Sequence, residues 1–228
     1  MMTSPESPKS IDRIPRQRRP SSPETGPSPA GTDRVTRAAR VLTEIFSPGY
    51  LVALLLAAVA WTSSRSVAQA VLVSLIAVAA ASVLPMVSIL RGVRRGRWTD
   101  KHVVVHAQRR VPLLIILLST AGGMLALVAV SAPRQLLALI AAMVAALLVA
   151  VPITVFLHWG ISIHALVAAG TSVALCVVFG PVLALTAPVA VAVGWARVRL
   201  GEHTVAQVLA GGLVGTCATG LLFPLLAG

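Results

Sequence analysis

The stretch GWARVRLGEHTVAQVLAGG, residues 194–212, sets two arginines, a glutamate and a histidine between two apolar runs. Charge near the middle of a spanning helix is costly, so such residues either line a site or mark where a helix leaves the lipid. Read as a turn, the break separates two spans and makes the chain polytopic. The rest of the sequence carries the same punctuation. Apolar runs over 49–61, 68–90, 112–131, 135–157, 164–179, 181–196 and 204–226 are divided by Pro, Gly or charge. A span needs roughly 20 residues. Four runs meet that length, and the first, fifth and sixth are short.

Composition agrees with this reading. Of 228 residues, 57% are hydrophobic, and the mean hydropathy is +0.88, far above that of a soluble domain. We therefore expect an all-α, polytopic transmembrane bundle of six to seven helices in the plasma or inner membrane. Tyr50, Trp61, Trp159 and Trp195 fall at run ends, where interfacial aromatics belong.

Two further segments precede the bundle. Residues 1–32 are rich in Pro, Ser and Arg and nearly free of large apolar side chains. Such a segment cannot bury enough surface to offset chain entropy, and a disordered tail is expected. From Asp33 to Phe46, apolar residues recur at helical spacing, and Arg34, Arg37 and Arg40 recur every third residue. That pattern predicts an amphipathic helix lying at the interface over 33–46, followed by a transmembrane domain over 47–228. No apolar core with a basic lead-in opens the chain, so no cleavable signal peptide is expected.

Charge constrains both topology and chemistry. If all seven runs cross, the tail, the 91–110 loop, the 158–162 turn and the 197–203 turn share one face. That face carries 17 of the 19 Lys and Arg, leaving Arg65 and Arg134 opposite. By the positive-inside rule the tail and this face are expected to be cytoplasmic. Beyond residue 50 the only carboxylates are Asp100 and Glu202. A paired-carboxylate mechanism or a carboxylate-built metal site therefore lacks acids unless the disordered tail supplies them, and neither metal nor cofactor is expected. The cations suit a phosphate instead. We expect membrane lipids as partners and no nucleic acid.

Three polar clusters meet on that face. WTDKHVVVHAQRRVP brings Lys101, Arg109 and Arg110; HWGISIHAL places Ser162 as a cap for a helix carrying His164; and the opening stretch brings Arg197, Glu202 and His203. A helix N-terminus favours an anion. One histidine can attack phosphorus, a second can protonate the leaving oxygen, and arginine can hold the remaining oxygens.

In motif order and spacing these residues resemble the membrane branch of the type 2 phosphatidic acid phosphatase superfamily, which also includes vanadium-dependent haloperoxidases. That family carries Lys-x6-Arg-Pro, Pro-Ser-Gly-His and Ser-Arg-x5-His-x3-Asp. Here Ala196, Arg197, His203 and Gln207 match the third motif, and Ile161, Ser162, Ile163 and His164 the second. The first is matched by Lys101 followed by Gln108-Arg109-Arg110-Val111-Pro112. The resemblance spans roughly residues 95–212. It implies metal-independent hydrolysis of a lipid phosphate, isoprenoid or phosphatidate-like. By the same resemblance His203 is the nucleophile, His164 the general acid, and Gln207 stands where an Asp orients His203. Lys101, Arg109, Arg110, Ser162 and Arg197 would bind phosphate.

Plainer readings stand beside these. Thr204-x-x-Gln207 is a capping box, and Ser162 is a simple N-cap. His102, His106 and His158 read as interfacial, Arg91, Arg94, Arg95 and Arg97 as a headgroup anchor, and Cys176 and Cys217 as packing residues. Gly211-x-x-x-Gly215 is a close-packing face, within the chain or in a homo-oligomer. The alternative to an enzyme is a non-catalytic protein of the same fold that binds or moves a lipid phosphate, favoured by Gln207 in place of the Asp.

Overall fold

The computed structural model describes residues 30–96 and 110–228, with side chains from residue 34 onward. Residues 1–29 of the tail, together with Lys101, His102, His106 and Arg109, lie outside the described residues. The described chain is helical throughout and contains no strand. Its helices are α1 (Ala30–Ile45), α2 (Pro48–Ser63), α3 (Val67–Val78), α4 (Leu84–Arg94), α5 (Arg110–Ala129), α6 (Arg134–Val155), α7 (Ile163–Phe179), α8 (Ala187–Arg199), α9 (Val205–Cys217) and α10 (Phe223–Ala227). The α1 helix starts just after Pro29, ahead of the predicted Asp33. The composition change that set that boundary is not a helix-stop signal, and helix ends shift by a residue or more.

Several of these helices are halves of longer spans. A π turn, Ala79–Val83, joins α3 to α4, and another, Ala218–Leu222, joins α9 to α10. Each is followed by a proline, Pro85 or Pro224. A proline lacks the N–H that an α-helix needs and crowds the carbonyl four residues back, and a local π turn relieves both. A 3₁₀ turn, Pro181–Thr186, similarly leads into α8. Six helical stretches are long and apolar enough to cross a membrane, among them Val67–Arg94, Pro181–Arg199 and Val205–Ala227. The protein is an integral membrane protein.

The seventh apolar helix, α7, has 17 residues and thus a length of about 26 Å. It packs against α2, α8 and α9 and buries His164, Leu166, Gly170 and Ala174 among them. Its closest approach is to α9. A Cβ at Gly211 would stand 2.3 Å from the Ser162 carbonyl oxygen, and one at Gly215 2.1 Å from that of Leu166. The Gly211/Gly215 face therefore packs against α7 within the chain. The main core gathers Leu56, Val59, Val73, Leu127, Leu136, Leu139, Ile140 and Phe223, while Leu54, Leu75, Leu118, Leu125, Leu185 and Leu213 face outward. Lipid is as apolar as leucine, so shape-matched packing rather than water exclusion holds such helices together. Cys176 is half-buried and Cys217 is exposed, so the latter is not a packing residue.

Hydrogen bonds between turns fix which ends lie together. The Arg134 Nε–H donates to the Leu226 carbonyl at 2.9 Å, joining the start of α6 to the C-terminal end. At the other end the Arg110 guanidinium donates to His158 Nε2 at 2.6 Å, and the Ser162 N–H donates to the Gln207 carbonyl at 3.0 Å. Helix α2 packs beside α3 and α7, burying Val52, Leu55, Leu56, Val59 and Ala60. With part of α1 it makes up Arg34–Ser63, one of the six stretches long and apolar enough to cross a membrane.

Candidate functional site

The site grows from the turn after α8. Gly201 has φ +70, a left-handed conformation that only glycine takes without strain. Its N–H donates to the Val198 carbonyl at 2.9 Å, and the Glu202 N–H donates to the Arg197 carbonyl at 3.1 Å. This is a Schellman closure of the helix. The His203 N–H reaches the same Arg197 carbonyl at 3.3 Å. The turn therefore folds residues 202 and 203 back against Arg197.

Arg197 and Arg199 take opposite directions because two residues turn a helix by about 200°. Arg199 is exposed, whereas Arg197 is 2% exposed and is the largest fully buried side chain among the described residues. A buried guanidinium requires a counter-ion or hydrogen-bond acceptors. Arg197 Nη2 makes an ion pair with Glu202 Oε2.

His203 and His164 are both buried, at 9% and 7% exposure. With Arg197 they line one cavity of about 410 Å³. Glu44 and Ser47, from the α1–α2 junction, line the same cavity. Most of the remaining wall is apolar, including Leu55, Leu113, Ile116, Leu139, Met143 and Val167. The cavity is thus amphipathic, with polar groups from α1, α7, α8 and the turn before α9 set against side chains of α2, α5 and α6. That volume lies within the roughly 300–1,000 Å³ of pockets that hold one small ligand.

Other expected site residues sit elsewhere. The Ser162 hydroxyl accepts the Ala165 N–H at 3.4 Å as the N-cap of α7, and Ser162 does not line the cavity. Gln207 Oε1 accepts the Thr204 N–H at 2.9 Å, and Thr204 Oγ1 accepts the Gln207 N–H at 3.3 Å. The capping box is complete, and the side-chain oxygen of Gln207 is engaged there. Arg110 is exposed and meets His158, outside the cavity wall. A guanidinium only donates, so His158 Nε2 accepts and Nδ1–H donates to the Phe156 carbonyl at 3.1 Å. These bonds hold His158 at φ +51.

The structure thus brings Arg197, His203 and His164 to one cavity, with Ser162 and Gln207 in helix caps and Arg110 beside His158. Glu44 is the residue that sequence reading missed. Its signal was faint: an acid among Arg34, Arg37 and Arg40, one turn before the Pro48 that opens α2. Among the described residues no group of three or more His, Cys, Asp or Glu is placed to hold a metal ion.

No protein-family model matches this sequence, and neither a curated protein nor a solved structure shows significant similarity to it.

Proposed function

We propose that the protein is a lipid-phosphate phosphatase that works through a phosphohistidine on His203, as its resemblance to the type 2 phosphatidic acid phosphatase superfamily implies. The observation that carries this reading is the shared cavity of His203, His164 and Arg197, whose remaining wall is largely apolar. Such a cavity suits a ligand with an anionic head and a hydrocarbon body. In the reaction, an imidazole nitrogen of His203 attacks phosphorus and the P–O bond to the lipid oxygen breaks. Protonated His164 gives its proton to that oxygen. Neutral His164 then takes a proton from water as the water attacks phosphorus, the P–N bond breaks, and inorganic phosphate leaves.

Arg197 stabilises the transferring group through a planar fork of five donors, which lets one guanidinium meet Glu202 and a phosphate together. The resemblance adds Lys101 and Arg109 as further phosphate ligands. By the positive-inside rule, the cations near this end favour a cytoplasmic-facing site in this reading.

The test is phosphate release by the purified protein in detergent from prenyl phosphates, prenyl diphosphates and phosphatidate. Release that disappears in His203→Ala and in His164→Ala supports the enzyme. A second reading, a binder of lipid phosphate without turnover, is favoured by one observation: the Gln207 amide serves the helix cap. Under that reading the folded wild-type protein retains radiolabelled lipid phosphate and releases none.

A further inference from the structure

Serine and threonine hydroxyls within helices commonly return to a backbone carbonyl three or four residues back, and several in this bundle do so. Thr43 donates to the Arg40 carbonyl at 2.9 Å, Ser63 to that of Val59 at 2.6 Å, Ser119 to that of Ile116 at 3.2 Å and Ser172 to that of Ala168 at 3.1 Å. Four buried hydroxyls among the described residues make no hydrogen bond: those of Ser47, Ser64, Thr120 and Thr154. Ser47, Thr120 and Thr154 line the cavity shared by His164, Arg197 and His203, and they are 6%, 1% and 5% exposed. Ser47 occupies the N-cap of α2 with extended backbone, yet its side chain caps nothing. Thr154, in the last turn of α6, bonds to no carbonyl of its own helix.

A buried hydroxyl without a partner costs free energy, and it calls for a partner from outside the fold. The three lie at two depths. Gln69 Nε2–H donates to the Ser131 carbonyl at 3.5 Å, so the α2–α3 turn and the α5–α6 turn share one end of the bundle. Ser47 stands at the opposite end of α2, and Thr154 at the opposite end of α6, four residues before His158. Both therefore belong to the end that carries Arg197 and His203. Thr120, ten residues into α5 from Arg110, lies about 15 Å deeper. A plain hydrocarbon chain offers Ser47 and Thr154 no acceptor. The ester oxygens of an acylglycerol phosphate sit beside its phosphate and only accept, and a hydroxyl can donate to them.

We propose that Ser47 and Thr154 form a neck subsite, each donating its hydroxyl proton to an ester oxygen of an acylglycerol phosphate whose phosphate meets Arg197. This assignment rests on the phosphatase reading of the cavity, and it selects ester-linked lipid phosphates over isoprenoid ones. Thr120 is too deep to take part and serves as the internal control.

The experiment compares the wild type with Ser47→Ala, Thr154→Val and Thr120→Val in detergent, on phosphatidate and on a prenyl phosphate. The wild type is expected to show the higher kcat/KM for phosphatidate. Ser47→Ala and Thr154→Val should each lower that preference by about 3- to 10-fold, the worth of one hydrogen bond, and Thr120→Val should not. Thermal unfolding without lipid should show no loss of stability in any variant, because no internal bond is removed. A wild type without the preference, a preference unchanged in Ser47→Ala or Thr154→Val, an equal loss in Thr120→Val, or a variant that is less stable or unfolded overturns the proposal. If the wild type releases phosphate from neither lipid, the phosphatase reading falls and binding judges the subsite. Retention of radiolabelled phosphatidate above prenyl phosphate, reduced in Ser47→Ala and Thr154→Val, then sustains it, and equal retention overturns it.

Discussion

Arg197 and Glu202 form an ion pair across the turn that ends α8, the arginine buried and the glutamate partly open to solvent. The pair is made locally, because the same turn bonds the Glu202 N–H to the Arg197 carbonyl. The arginine is thereby held inward, and any anion that enters the cavity meets a guanidinium already oriented.

Removing one partner of this pair is expected to destabilise the fold. Glu202→Leu leaves a charge in a buried position and should cost about 3 kcal/mol, the low end for a broken buried pair. The double change Arg197→Met with Glu202→Leu should recover most of that loss, since an apolar pair replaces an ionic one. Thermal unfolding in detergent measures both. A double variant no more stable than the single would show that Arg197 has a structural role beyond the pair.

Gly201 is expected to resist substitution. A side chain at φ +70 costs about 1–2 kcal/mol for most residues and less for Asn. Gly201→Val should therefore lower stability more than Gly201→Asn, and it should lower phosphate affinity by displacing His203. Gly96, with φ +66 at the exposed end of α4, is the control for strain away from the site.

The contact between α7 and α9 gives a paired test. Gly211→Ala puts a methyl group against the Ser162 backbone and should cost about 1–3 kcal/mol or more, as overpacking does. Gly212→Ala, whose Cβ would meet nothing within 4 Å, should be neutral or slightly stabilising. Equal effects of the two would contradict the packing described.

Thr204 and Gln207 should separate cap from catalysis. Thr204→Ala is expected to cost about 1 kcal/mol, the typical value for a lost N-cap. Gln207→Glu keeps the capping box and should leave stability nearly unchanged. Differential thermal stability decides the first, and phosphate release by Gln207→Glu shows whether a carboxylate at this position reaches His203.

Much of the bundle was readable from the sequence because lipid imposes a long apolar period on each span. The seven runs correspond to seven helical stretches, and Ser162 and Thr204 cap the helices their positions predicted. The π turns were not readable. They follow from where Pro85 and Pro224 fall inside otherwise continuous apolar runs, and a hydropathy pattern records only the run. Glu44 was hidden for another reason. It lies more than 150 residues from His203, and its place in the cavity depends on α1 packing against α8. No local spacing encodes such a contact.

The π turn Ala79–Val83 has a consequence for how the cavity is walled. One extra residue advances a helix by about 100° about its axis. Before the turn, α3 buries Ala70, Val73 and Ala77. Beyond it, Pro85, Met86, Ile89 and Leu90 face the cavity. A shorter chain, with one of these five residues deleted and the helix continued regularly, would rotate that second stripe away and replace it with its neighbours. The pocket's outline is therefore written as an insertion in helical phase, in a turn whose one polar side chain, Ser82, also lines the cavity.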